Sequence, residues 1–254
     1  MVSIKSWAPS TRENVGSNRF VEHMVATEDT TDVGIAWLAS AVPRHYASSE
    51  RVASILRGLG KPEAAKFIEN KLPLTKRIRS GDLGEIIGTI FVSEELGYQV
   101  VLRLRWKDHR EMAMRGDDVL GFRLTSAGSI EFLKGEVKSR SRLDATTVSA
   151  ADNALRSDDG LPSPHAVEFV SDRLHESGDD VLAGHIDRAL LSTGIAQRQV
   201  THLLFTFTGS DPRTLLVKNT KTLTGSIPRL AVGLQVPQHQ SFISAVYAQV
   251  IADA

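Results

Sequence analysis

Two stretches of alternating apolar and polar residues, Asp118 to Leu124 and Ile130 to Lys138, are separated only by Thr125-Ser-Ala-Gly-Ser129. The period of two predicts strands, and the small polar connection has turn composition, so the pair reads as an antiparallel hairpin. A five-residue loop centred on Ala127 pairs Leu124 with Ile130. Counting outward two at a time, the same register sets Asp118 opposite Glu136. Directly opposed residues hold their Cβ atoms about 5 Å apart, where two carboxylates repel unless a cation lies between them. A divalent metal answers that need.

Side chains alternate along a strand, so Phe132, Lys134, Glu136 and Lys138 share one face. Val137 points the other way, but its backbone carbonyl lies at the same level and offers another hard oxygen. An oxygen-rich ligand set of Asp118, Glu136 and Val137 suits Mg2+ or Mn2+. Hydrolysis of a phosphodiester needs an activated water, a clamp on the phosphate and charge compensation at the leaving oxygen, all of which a carboxylate-bound metal serves. The Lys138 ammonium beside it is placed to orient water and stabilise developing charge. Asp117 precedes Asp118, and only the strand register favours the second of the two as the ligand.

Glu85 is an independent clue. Residues 82 to 96 read as a helix, with Leu83, Ile86, Ile87, Ile90 and Phe91 forming an apolar stripe and Gly97 placed to end it. From Leu83 to Ser93, Glu85 is the only charged residue, and it sits away from the stripe beside Gly88, Thr89 and Val92. A helix without charge on its second side is covered there too, so this carboxylate requires a metal or a cation such as Arg77 or Arg79.

The remaining chain reads as follows. Residues 1 to 30 are polar and without a sustained period, which predicts an irregular segment. Helical spacing runs from Asp32 to Pro43, from Ser49 to Gly58, and after Pro62, which defines an N-terminal helical subdomain over 1–74 and an α/β domain over 75–254. Tyr98 to Trp106 alternates as a strand. Helical patterns occupy Asp144 to Leu191, with breaks at 160–164 and 177–180. Val200 to Thr208, Thr214 to Lys218 and Ala231 to Val236 read as strands before a closing helix from Gln240 to Ala252.

Composition excludes several chemistries. Of 254 residues none is cysteine, which removes disulfides, thiol nucleophiles and thiolate metal sites. No apolar run reaches the roughly 18 residues of a membrane helix, and Met1 to Ser10 lacks the order of a secretory signal, so a cytoplasmic protein without membrane attachment is expected. Thirty Lys and Arg balance thirty Asp and Glu, giving no global attraction to a polyanion. Lys76, Arg77, Arg79, Arg103, Arg105, Lys107, Arg110 and Arg115 concentrate around the candidate site, either as a local basic surface or as solvated faces interleaved with acidic residues. Gly58-Leu-Gly-Lys61 lacks the spacing and hydroxyl of a phosphate-binding loop and reads as a helix-ending turn.

The motifs Gly84-Glu85, Gly116-Asp-Asp118 and Gly135-Glu-Val-Lys138 resemble those of the PD-(D/E)xK nuclease superfamily. More narrowly, the Gly81-Asp-Leu-Gly-Glu-Ile-Ile87 helix and the Gly-Glu-Val-Lys strand are similar to HamA, the nuclease-subunit family of the bacterial Hachiman antiphage defence system. The resemblance is specific over about residues 75 to 210. It implies a restriction-endonuclease-like α/β core, a central mixed sheet flanked by helices. It implies a metal-dependent deoxyribonuclease with Glu85, Asp118, Glu136 and Lys138 as its catalytic residues. It also implies a partner, the helicase HamB, that restrains the nuclease until DNA engages the complex. A stand-alone restriction or repair nuclease, and a catalytically silent DNA-binding subunit of the same fold, are the alternative readings.

Overall fold

The computed structural model describes residues 3–114 and 116–253. Arg115, counted above in the basic stretch, lies outside them. In chain order the elements are α1 (Ile4–Trp7), β1 (Ser10–Gly16), β2 (Arg19–Val25), α2 (Glu28–Tyr46), α3 (Ser49–Leu59), α4 (Lys61–Lys71) and α5 (Lys76–Ile90). Then come β3 (Gln99–Val100), β4 (Val119–Leu124), β5 (Ile130–Arg140), α6 (Ala145–Arg156), α7 (Pro164–Glu176), α8 (Asp180–Arg188), β6 (Val200–Thr208), α9 (Arg213–Thr222), β7 (Arg229–Gln235) and α10 (His239–Asp253). The strands form one seven-stranded mixed sheet in the order β1-β2-β7-β6-β5-β4-β3. β2, β7, β6 and β5 run parallel to their neighbours in that series, while β1 and the β3-β4 pair join antiparallel at the two ends.

Period-two alternation sorts each strand's side chains onto two covered faces, which makes a three-layer α/β/α arrangement. Leu133 and Val137 of β5, Phe205 and Phe207 of β6, and Val232 and Leu234 of β7 pack with α2, α5 and α10 in one core. On the other face, Phe132, Leu120 and Val200 meet α7 and α8, and Leu204 and Ala231 meet α6 and α9. Among the described residues no helix is long and apolar enough to cross a membrane.

The hairpin register read from the turn is the register observed. Leu124 pairs with Ile130, and the ladder continues to Val119 opposite Gly135. The turn closes through Thr125 N–H to Ser129 O at 2.8 Å and Gly128 N–H to Thr125 O at 2.9 Å, with Gly128 at φ 76°. The covered second side expected for the Glu85 helix is also present: Gly84, Gly88, Thr89 and Val92 are buried along with the apolar stripe.

Four expectations are corrected. Residues 1–30 are not irregular, because Ser10–Gly16 and Arg19–Val25 pair as a hairpin and β2 joins β7. These two strands, from the segment assigned to a helical subdomain, therefore lie in the same sheet as β4 and β5. Tyr98–Trp106 is not one strand: only Gln99–Val100 pairs, and Arg103–Trp106 forms a 3-10 turn. Thr214–Lys218 lies inside α9, started by Asp211 Oδ1 accepting from Arg213 N–H at 2.8 Å and buried through Leu216 and Thr220, one turn apart. Pro43 does not end its helix, which runs to Tyr46; Pro43 lacks only a donor, and its carbonyl still accepts from Ala47 N–H.

Helix α5 lies close on β5 because two of its residues lack side chains. A Cβ at Gly88 would stand 2.9 Å from Val137 Cγ2, and one at Gly84 would stand 3.2 Å from Ser139 Cβ. This approach fixes where Glu85, between them, meets the sheet. Gly88→Val is expected to cost about 1–3 kcal/mol through overpacking, read as a lower denaturation midpoint in urea.

Candidate active site

β5 outlasts its antiparallel neighbour. The ladder to β4 stops at Gly135, while β5 continues to Arg140 on the side of β6. Residues 136–140 thus have an edge that β4 does not cover. Asp118, one residue before β4, fills the first position on that edge, where its Oδ2 accepts the Val137 N–H at 2.8 Å. A strand residue presents its N–H and C=O to the same side, so the Val137 carbonyl faces the edge that Asp118 occupies.

Glu136 and Lys138 share the opposite face from Val137 and Ser139, as the alternation requires. Both are half-buried, and the Lys138 ammonium donates to Glu136 Oε1. Burial, and then the charge of Asp118, pushes the Glu136 carboxyl up to about 7 despite that ion pair. Burial also raises Asp118, opposed by the Val137 N–H and the charges of Lys138 and Arg103. Three carboxyl groups therefore compete for few cations.

Glu85 is the third. Its Oε2 is enclosed and has no hydrogen-bond partner. Burial and the neighbouring Asp118 raise its carboxyl to about 8, with Arg103 and Lys107 pulling the other way. Arg79, one of the two cations considered as a partner, donates instead to Pro73 O at 2.8 Å and lies over the Tyr247 ring. The structure thus brings Glu85, Asp118, Glu136 and Lys138 into one electrostatic neighbourhood from a helix, a strand tip and a strand.

Asp117 and Asp118 differ in their partners. Asp117 Oδ2 accepts from Ser163 N–H at 2.8 Å, and its Oδ1 lies 3.7 Å from Lys134 Nζ. Lys134 is itself buried, donating to Ser157 O and Leu161 O at 2.9 and 2.8 Å. Asp117 is thereby committed to a buried structural pair, and Asp118 is the one that meets Glu136.

Sequence reasoning missed a second carboxylate one turn before Glu85. Asp82 is buried and accepts from Lys107 Nζ at 2.9 and 2.8 Å, one bond to each oxygen, and from the Tyr46 hydroxyl at 2.7 Å. Tyr46 also meets the Tyr247 hydroxyl at 3.0 Å. The i, i+3 spacing of Asp82 and Glu85 was the available signal, since it places both on one side of α5. Of the basic stretch, Lys107 is spent on Asp82 and Arg105 on the Arg44 carbonyl, at 2.9 Å. Arg103 and Asp117 line a cavity of about 380 Å³ with Trp106, Met112, His165 and Phe169. It is a partly apolar cleft that reaches Asp117, the residue before Asp118.

Among the described residues no three Asp, Glu or His side chains are already drawn together as a metal cage. The donor set nevertheless fits a hard divalent cation. It offers carboxylate oxygens and a strand-edge carbonyl, one oxygen lacks any partner, and the carboxyls are raised first by burial and then by the neighbouring Asp118, both of which a bound cation would offset.

Fold and site together define an α/β protein with a carboxylate and lysine centre at an uncovered strand edge. The HamA family model matches residues 3–250, and the chain belongs to that family. It is 23% identical over 249 residues to the Hachiman protein HamA of Bacillus cereus, covering 95% of this chain and 89% of that relative.

Proposed function

We propose that this chain is a metal-dependent deoxyribonuclease with a PD-(D/E)xK core, acting as the effector of a Hachiman antiphage defence system under the control of a helicase partner, HamB. The observation that carries the catalytic part is the convergence of Glu85, Asp118 and Glu136 beside Lys138 on the uncovered edge of β5, with carboxyls raised by burial and mutual repulsion. The defence role and the partner rest on membership of the HamA family and on the Bacillus cereus relative's name.

Glu85, Asp118, Glu136 and the Val137 carbonyl would hold Mg2+ or Mn2+, which when bound supplies an acidified water and neutralises charge on the scissile phosphate. The protein's own contribution is positional. Asp118 is oriented by the Val137 N–H, so its carboxylate is fixed before substrate arrives. The Lys138 ammonium, held at the site by Glu136, orients the attacking water and meets charge as it develops on the phosphate oxygens. Glu85 closes the set from the helix side. The neutral overall charge is consistent with a nuclease to which a partner delivers DNA.

The test is cleavage of plasmid, linear DNA and RNA by the purified chain in Mg2+, Mn2+ or chelator, alone and with the helicase product of any neighbouring gene. Glu136→Ala and Lys138→Ala serve as controls. Metal-dependent DNA cleavage that both variants lose is the expected result. Cleavage only with, or after release from, the helicase supports the defence complex; vigorous cleavage alone favours a stand-alone nuclease. Absence of cleavage in every condition, or variants that cut like the parent, would sink the catalytic assignment in favour of a DNA-binding subunit.

A further inference from the structure

At the start of the parallel strands, away from the carboxylate edge, four charged or polar residues stand side by side across the sheet. Lys134 of β5 pairs with His202 of β6, His202 with Arg229 of β7, and Arg229 with Arg19 of β2. Lys134, His202 and Arg229 are 2%, 4% and 4% exposed, so their polar groups must find partners inside the protein. Lys134 does so through its carbonyl acceptors and Asp117. His202 does as well: its Nε2 donates to Gly160 O at 2.7 Å, leaving Nδ1 to accept from Arg229 Nη2 at 3.4 Å. That is the neutral tautomer, in keeping with burial lowering His202 to about 4.

Arg229 does not. Its Nη2 also donates to Asp152 Oδ1 at 3.0 Å, but Nε and Nη1 are buried and have no acceptor. A guanidinium cannot discharge its unmet donors by losing a proton, so each is a desolvation cost that an acceptor would relieve. Arg229 lines a cavity of about 210 Å³ together with Arg19, Arg156, Asp159, Gln197 and the 223–227 loop. Arg156 reaches it from the end of α6, held by Asp152, and Arg19 from the start of β2, held by the carbonyls of Leu223 at 2.6 Å and Gly225 at 3.1 Å. The wall carries three guanidinium groups against the single carboxylate of Asp159. With Asp152 behind them, the surroundings still keep an excess of positive charge.

We propose that this cavity is a binding site for a phosphate-class anion, with Arg229 as the buried anchor and Arg19 and Arg156 as the flanking donors. Arginine's fork of donors matches phosphate oxygens, and three guanidinium groups arriving from β2, β7 and α6 suit a ligand whose oxygens diverge in several directions rather than a planar carboxylate. The anion can be free phosphate, the phosphate of a nucleotide or the 5′ phosphate of a nucleic-acid end. The site is separate from the carboxylate edge but shares a loop with it. Residues 157–163 supply Gly160 to the cavity, Ser157 and Leu161 carbonyls to Lys134, and the Ser163 N–H to Asp117.

The test is titration of the full chain, in chelator to remove metal, with inorganic phosphate, a nucleoside monophosphate, acetate and a short oligonucleotide with or without a 5′ phosphate, followed by 31P line broadening or by calorimetry at matched ionic strength. Saturable one-site binding of at least one phosphate compound, with acetate ineffective, is expected. Arg156→Gln, whose side chain is 53% exposed and tolerates replacement, should weaken it about tenfold or more, as should Arg19→Gln. Binding of phosphate and monophosphate alike identifies a free-anion site; binding only of the 5′-phosphorylated strand identifies an end-recognition site. Failure of every phosphate compound to saturate, equal response to acetate, or unchanged affinity in both variants would overturn the assignment.

Discussion

Asp118→Asn is expected to lower metal-dependent cleavage by on the order of 10²–10⁴-fold while leaving the fold as stable as the parent, and Asp117→Ala is expected to do the reverse. The two residues are adjacent in sequence and sit in different surroundings. Asp118 sits at an uncovered edge among like charges, so an uncharged isostere removes repulsion, keeps an acceptor for the Val137 N–H and sacrifices only the charge that a cation needs. Asp117 is enclosed and holds Ser163 and Lys134; deleting it leaves the Lys134 ammonium, 2% exposed, without its counter-charge. Removing one partner of a buried pair costs about 3–5 kcal/mol. Urea denaturation and single-turnover cleavage of both variants check this. A stable Asp117→Ala that has lost all cleavage, beside an active Asp118→Asn, would exchange their roles.

The hairpin that carries Asp118, Glu136 and Lys138 was legible because its information is local. Turn composition sets loop length, loop length sets register, and period-two alternation sets the face; none of these needs a distant residue. Glu85 was legible for a related reason, as a charge on a helix with two apolar sides. What the sequence hid depends on partners far along the chain. The Ser10–Gly16 strand is polar because it is a sheet edge with exposed side chains, and Arg19–Val25 pairs with Arg229–Gln235, some two hundred residues away. Glu22, buried on β2, breaks the apolar alternation because Lys5 meets it at 3.3 Å from α1. The leucines of α9 mimic a strand because only one side of that helix is covered. Asp117 and Asp118 were distinguishable only by register until the Ser163 loop closed over the first of them.

Arg229 and Glu85 are both buried and both incompletely partnered, yet they relieve that cost differently. Arg229 keeps its charge at any accessible pH, so its unmet donors call for an anion. Glu85 can escape its difficulty by taking up a proton, and the pH at which it does so is observable in the stability of the protein.

In chelator, the parent is therefore expected to lose stability as pH rises from about 5 to about 8. The sign follows from proton uptake: with Glu85 raised by burial to about 8 in the folded state and near 4.5 when unfolded, the native protein binds more protons across that window, and ∂ΔG/∂pH is negative there. Glu136, raised to about 7 chiefly by burial, acts in the same direction over the lower part of the window. Because the groups interact, their losses do not add in full, and a combined effect on the order of 2–4 kcal/mol is expected between the two pH limits. Glu85→Gln should flatten most of this slope and make the metal-free protein more stable than the parent at pH 8. Saturating Mg2+ should stabilise the parent at pH 8 by mass action and help Glu85→Gln much less, since the variant has lost both the repulsion and a ligand. Urea midpoints for the two proteins at pH 5 and 8, with and without Mg2+, read each of these effects. A parent whose metal-free stability is flat over this range would mean that Glu85 has found a cationic partner in solution, and the carboxylate centre would then lose its third member.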